Sequence, residues 1–210
     1  MDSVSICNLA LNMLGIPTIT SFDDQNNNAK LCKRFFPVIR DRVLRDHSWS
    51  FAATGTTLQQ LTTLPFDPDY QYACALPGDL IRIIGVTPEQ PYRKAGRSIF
   101  VNELPATLFY VRCVEDSDLF DETFCEALQY ALAAEIAGSS TQDLQKVNYY
   151  RTEYQRILSL ARSIDSQENR YANQLSPRRS NFIAARSADT VSQIRPGKIN
   201  WVEGNAGKQV

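Results

Sequence analysis

Apolar side chains at Ile6, Leu9, Ala10, Met13 and Leu14 follow the i, i+3, i+4, i+7, i+8 spacing of one helix face. That spacing predicts a first helix at about 3–14, with Asp2 or Ser3 as its cap and Gly15 and Pro17 as its stop. Ala29, Cys32, Phe36, Ile39 and Val43 then recur at steps of three and four, predicting a second helix at about 24–46. Asp23 and Asp24 suit its N-terminus, and Pro37, which cannot donate to the carbonyl four residues back, should kink it.

From Trp49 to Val114 the period changes to short β-branched or aromatic runs broken by Pro, Gly and Asp. The expected strands are Trp49–Thr54, Tyr70–Leu76, Leu80–Val86, Ser98–Val101 and Thr107–Val114. Pro77-Gly78-Asp79 has turn chemistry, and Arg93 to Gly96 reads as a hairpin tip. Alternation in Tyr70-Gln71-Tyr72-Ala73-Cys74, and around Arg82, indicates half-buried antiparallel strands. By the same alternation Trp49 and Phe51 should face inward together.

The helical period returns with Phe120, Phe124, Ala127, Leu128, Ala131 and Leu132, predicting a helix at about 119–138 that ends at Gly138. Ser140 with Asp143 has capping-box spacing, and the helix it opens, at about 141–170, carries Leu144, Val147, Tyr154, Ile157, Leu158, Ala161 and Ile164. At ~1.5 Å per residue this helix is on the order of 45 Å long and must lie along others. The expected fold is α+β, mainly α: an antiparallel bundle of about four helices, with a small antiparallel β region at about 49–114 inserted between the second and third.

Past Tyr171 the periodicity stops, so residues 1–171 read as the body and 172–210 as an extended C-terminal arm. The arm holds six basic residues (Arg178, Arg179, Arg186, Arg195, Lys198 and Lys208) against Asp189 and Glu203. It is therefore +4 in a chain of net charge −1, and the body is acidic. Phe182, Ile183, Ile194, Ile199, Trp201 and Val202 are scattered among Ser, Asn, Gly and Pro. Isolated apolar anchors in a basic segment point to ordering on a partner, against the plainer reading of a solvated terminus.

Length and composition bring a core but no obvious chemistry. With 210 residues, 43% hydrophobic and 21% charged, the chain has ordinary globular usage. The near-zero net charge gives no overall drive toward nucleic acid or an anionic membrane. No apolar run reaches the roughly 18 residues of a membrane helix, and Met1-Asp2-Ser3 lacks a signal-peptide pattern, so the expectation is synthesis and use in the cytosol. The five cysteines have no Cys-x-x-Cys pair and only His47 beside them, so neither a zinc site nor a metal or other cofactor is expected.

Any Ser-His-Asp or Cys-His arrangement would need His47, whose place at the end of the second helix suits capping instead. The nine glycines form no phosphate-cradling loop. Glu115, Asp116, Asp118, Asp121 and Glu122 could supply the two carboxylates of glycoside hydrolysis, yet they precede a helix, where acidic residues belong. Lys33-Arg34-Phe35-Phe36 and Arg40-Asp41-Arg42 interleave basic and aromatic groups, but Lys33 and Arg40 lie on a stripe beside the apolar one, as on a solvated or subunit-facing flank.

In order along the chain, Leu11-Asn12-Met13-Leu14-Gly15, Phe22-Asp23-Asp24, Ala29, Phe36-Pro37, Arg40-Asp41, Leu44-Arg45, Trp49-Ser50-Phe51-Ala52, Leu76-Pro77-Gly78-Asp79-Leu80-Ile81-Arg82 and the Ala-rich stretch Ala127–Ala137 form a recognisable series. Together they resemble the head-to-tail adaptor family of short-tailed phages, also called tail tubular protein A, over about residues 3–170. The resemblance implies a structural virion protein and no enzyme. Twelve copies would form a ring below the capsid portal, helices toward the portal protein and β region toward the distal tail (nozzle or tubular) protein, with genomic DNA crossing the lumen during ejection. Related adaptors use a C-terminal extension to reach portal subunits; the basic arm here lies outside the matched portion and is expected to order against the portal or a neighbouring copy. The arm residues expected to bind there are Arg178, Arg179, Phe182, Ile183, Arg186, Arg195, Ile199 and Trp201. Localisation would be the virion connector, assembled in host cytoplasm. The alternatives are a tail-borne peptidoglycan hydrolase using the Glu115–Glu122 carboxylates and a monomeric head or tail completion factor.

Overall fold

The computed structural model describes residues 1–140 and 144–175. The chain divides into two units, Met1–Ser166 and Gln167–Val210; of the second, only the end of a helix reaching Leu175 is described. The fold is mixed α+β, with four helices and two antiparallel sheets among the described residues.

Helix α1 spans Ser3–Leu14. Asp2 caps it by accepting from Ser5 N at 2.7 Å, and hydrogen bonding from the Ser5 side chain, then from its backbone, draws the Asp2 carboxyl below its usual range. Gly15, at φ 69°, closes it in the left-handed conformation that L side chains rarely adopt. Helix α2 spans Asn27–Asp46, later than the expected 24, because Asn26 is its cap. Asp24 is occupied elsewhere, accepting from both the backbone and the hydroxyl of Thr20, and Asp23 pairs with Lys33 at 2.7 Å. All five expected apolar positions of α2 are buried, and Pro37 lies inside the helix.

The expected strand Trp49–Thr54 is corrected in its first half. Ser50–Ala52 is a 3-10 turn, and β1 is Ala53–Thr57. Trp49 is buried and Phe51 packs against the same core, so both face inward as expected, but a tight turn and not strand alternation puts them there. The other strands are β2 (Gln59–Gln60), β3 (Tyr72–Ala75), β4 (Leu80–Thr87), β5 (Arg93–Ala95), β6 (Ser98–Val101) and β7 (Thr107–Arg112). Arg93 to Ala95 is strand where a hairpin tip was expected, and of the expected tip only Gly96, at φ 60°, belongs to the turn, which it makes with Arg97.

The β segment makes two sheets where one small region was expected, in the orders β1-β7-β4 and β2-β3-β6-β5. The chain crosses from one sheet to the other at buried Leu58, and between the sheets lie Leu58, Cys74, Val86, Ile99, Val101, Ala106, Leu108 and Tyr110. Strand β7 serves two cores. Leu108 and Tyr110 face this β core, while Val111, pointing the other way, joins the helical core with Val114.

Helix α3 spans Glu122–Ser140 and α4 Leu144–Leu175. The start of α3 is later than the expected 119 because Ser117–Leu119 forms a 3-10 turn and Asp121 accepts from Phe124 N at 2.6 Å. Gly138 does not end α3; it lies within the helix, where an added Cβ would stand 3.7 Å from Val147. The expected capping box of α4 falls at 141–143, outside the described residues. Val147, Tyr154, Ile157, Leu158 and Ala161 are buried as expected, but Leu144, 74% exposed, and Ile164 are not.

Candidate assembly surfaces

The expected contact residues Arg178, Arg179, Phe182, Ile183, Arg186, Arg195, Ile199 and Trp201 lie outside the described residues. The other candidates raised by the sequence are all placed. Asp116 caps the Ser117–Leu119 turn and Asp121 caps α3, so two of the clustered carboxylates are spent on backbone N–H groups. Asp118 is exposed near the N-terminal amine at 3.8 Å. His47 is the C-cap residue of α2, buried edge-on against Trp49 with ring centroids 4.9 Å apart. Trp49 Nε1 donates to Val43 O at 2.8 Å, so an indole satisfies a carbonyl that α2 leaves open.

Arg40 departs from the expected solvated flank. Only 7% exposed, it donates to Asp41 at 2.9 Å and to Cys113 Sγ at 3.4 Å, tying α2 to the chain leaving β7. A buried guanidinium needs a partner, and Asp41 supplies the charge. Burial pushes the Cys113 thiol up, away from the thiolate form that nucleophilic chemistry needs. The Cys7 thiol of α1 is likewise raised, by its hydrogen bond to Cys32 of α2 and by burial.

A cleft of about 260 Å³ opens between α2, α3 and α4, lined by Arg42, Asp46, Glu135, Arg151, Tyr154 and Gln155. Its charges are cross-linked. Arg42 donates to Glu135 at 2.9 Å, Tyr154 Oη donates to Asp46 at 2.6 Å, and Arg162 donates to Asp46 O at 3.2 Å. Burial, then the Asp46 hydrogen bond, raise the Tyr154 phenol above its ordinary range. The cleft thus holds α4 against the end of α2.

No family model matches the chain, and no curated protein matches it.

Exposed apolar side chains occur at several places, Val38 of α2 and Leu119 among them, and two groups of them stand out. On α4, Tyr149 and Leu160 are exposed and eleven residues apart, which at 100° per residue puts them on one line of the helix, with the Glu153–Arg156 ion pair between them. Ile164 lies one turn beyond Leu160. On the β region, Leu64 (82% exposed) and Phe66 (71%) stand on the loop before β3. That loop is held firmly: Phe66 meets buried Phe100 edge-on at 5.1 Å, the Arg93 guanidinium lies over the Phe66 ring at 5.3 Å, and Arg93 pairs with Asp67. The Arg93 pairing draws the Asp67 carboxyl below its usual range. Sequence periodicity missed this loop because Leu64 and Phe66 belong to no regular element.

Proposed function

We propose that this chain is a structural virion protein, a ring-forming head-to-tail adaptor that joins the capsid portal to the tail and surrounds the DNA conduit. The family resemblance names the assembly, and one observation carries the reading beyond it: apolar side chains are exposed on α4 and, separately, on a braced loop of the β region. Separate exposed patches suit a subunit that meets different partners through different faces, and a contact between unlike faces of neighbouring copies makes a ring when its rotation closes. An enzyme would instead concentrate its features in one concave site.

In this reading the four helices form an antiparallel bundle facing the portal protein, and the β region with Leu64 and Phe66 faces the distal tail protein. The stripe Tyr149–Leu160 packs against the neighbouring copy, and the basic arm from Ala172 docks on the portal or on that neighbour. Twelve copies surround the DNA, which passes without sequence-specific binding. The acidic body favours passage, since each added phosphate-neutralising Lys or Arg would hold the DNA more tightly.

Electron cryo-microscopy of portal-bearing particles tests the assignment. The expected result is twelvefold density for this chain between portal and tail. Sixfold or trimeric density, or a single copy, would refute it. Lysis of purified cell wall by the full chain, lost in Glu115→Gln, would favour the hydrolase instead.

A further inference from the structure

Among the described residues four strand edges border the two sheets, and three of them resist pairing. The edge at β2 is only two residues long, β5 exposes Arg93 and Lys94, and β4 carries two register shifts. Short, charged and bulged edges are the usual defences against an added strand. The fourth, β1, is five residues of Ala53-Thr54-Gly55-Thr56-Thr57, with no charge, proline or irregularity in its pairing to β7.

The outward groups of β1 follow from the ladder. Leu58 N donates to Ala106 O at 2.8 Å, one step beyond the pair Thr57↔Thr107. Antiparallel pairs alternate, so Thr54 and Thr56 make the bonds to β7, while Gly55 and Thr57 turn N–H and C=O away from the sheet. Among the described residues nothing bonds to these groups.

The sheet beside this edge is also open. Phe109 of β7, 43% exposed, stands between Gly55 on one neighbour and Gly85 on the other. Its ring leans toward β1, since a Cβ on Gly55 would meet Phe109 Cε1 at 3.1 Å. An extended segment laid along β1 therefore finds unused backbone groups and an aromatic face together, the arrangement that strand addition exploits.

We propose that the outer edge of β1 receives the segment Lys198–Glu203 of a neighbouring copy as an added strand. The run Lys198-Ile199-Asn200-Trp201-Val202-Glu203 alternates, placing Ile199 and Trp201 on one side, and it is bounded by Pro196-Gly197 and Gly204-Asn205. The Phe109 ring lies over Gly55 and is still 43% exposed, so its free face is what Trp201 packs against. The stretch from Leu175 to Lys198 reaches on the order of 70 Å when extended, about twice the diameter of a small domain, so the segment can cross to another copy. The contact joins two different patches and is heterologous. It rests on the neighbouring-copy part of the arm reading and not on the portal.

A fluorescein-labelled peptide of residues 196–206 is titrated into the full chain carrying Ile199→Asp and Trp201→Asp, which disables its own segment. Anisotropy should rise saturably. Adding Thr57→Pro removes one outward N–H while leaving the bonds to β7, and should weaken binding at least tenfold. Absence of saturable binding, or binding untouched by Thr57→Pro in a folded variant, overturns the proposal. Amide exchange supplies a readout that does not depend on the proline variant folding: Gly55 and Thr57 should slow when the peptide is added, and unchanged exchange overturns the proposal equally. Particles without twelvefold density would refute the adaptor while leaving this contact standing; a peptide that does not bind would refute the contact and leave the ring.

Discussion

Trp49→Ala strikes the joint where α2 ends and the β segment begins. The indole is 2% exposed and packs edge-on against Phe124 at 5.1 Å and His47 at 4.9 Å, with Phe51 at 6.5 Å. Removing a buried Trp costs about 3–5 kcal/mol through lost transfer energy and the cavity left behind. The Val43 carbonyl also loses its donor, so the upper half of that range applies. At about 3 °C per kcal/mol for a chain of this size, a loss of about 4 kcal/mol lowers Tm by about 12 °C. Trp49→Phe separates the contributions: the ring contacts largely remain and the indole N–H does not, so the loss should be about 1–2 kcal/mol. Thermal melts followed by circular dichroism measure both variants. A Trp49→Ala protein that melts with wild type, or a Trp49→Phe protein as unstable as the alanine variant, would refute the reasoning.

Tyr154 predicts a pH dependence. Its phenol is raised in the folded protein, so its stabilisation is complete below the unfolded value near pH 10 and lost as pH rises toward the folded value, at up to about 1.4 kcal/mol per unit. Denaturant titrations at pH 8 and pH 11 should therefore show a smaller loss in Tyr154→Phe than in wild type; equal losses would contradict this. Asn8 clamps the loop after α1 by donating to Ile19 O and accepting from Ile19 N, both at 2.8 Å, so Asn8→Ala should cost about 1–3 kcal/mol in a urea titration. An unchanged midpoint would show that the loop is held otherwise. Truncation after Leu175 should leave the melting of the Met1–Ser166 unit nearly unchanged while greatly weakening attachment to portal-bearing particles. Undiminished attachment would assign the joint to the helices alone.

The sequence by itself determined the elements whose signal is local and repeated. The α2 stripe from Ala29 to Val43 is buried throughout, because a 3.6-residue period written over about four turns leaves one face for the core. Asp2 and Gly15 bound α1 for reasons internal to that helix, the unbonded N–H groups at its start and the positive φ at its end. Tertiary structure decided what depends on neighbours distant in the chain. Asp24 turned to Thr20 and left the cap of α2 to Asn26; α3 ran on through Gly138 to Ser140; Arg40 turned inward because Cys113, far along the sequence, came to lie beside it. The candidate surfaces divide the same way. The arm was visible as a change of charge and period, whereas the open edge of β1 exists only because β1 pairs on one side with β7 and on the other with nothing among the described residues. An edge is a property of the sheet, and no pattern within Ala53–Thr57 could have announced it.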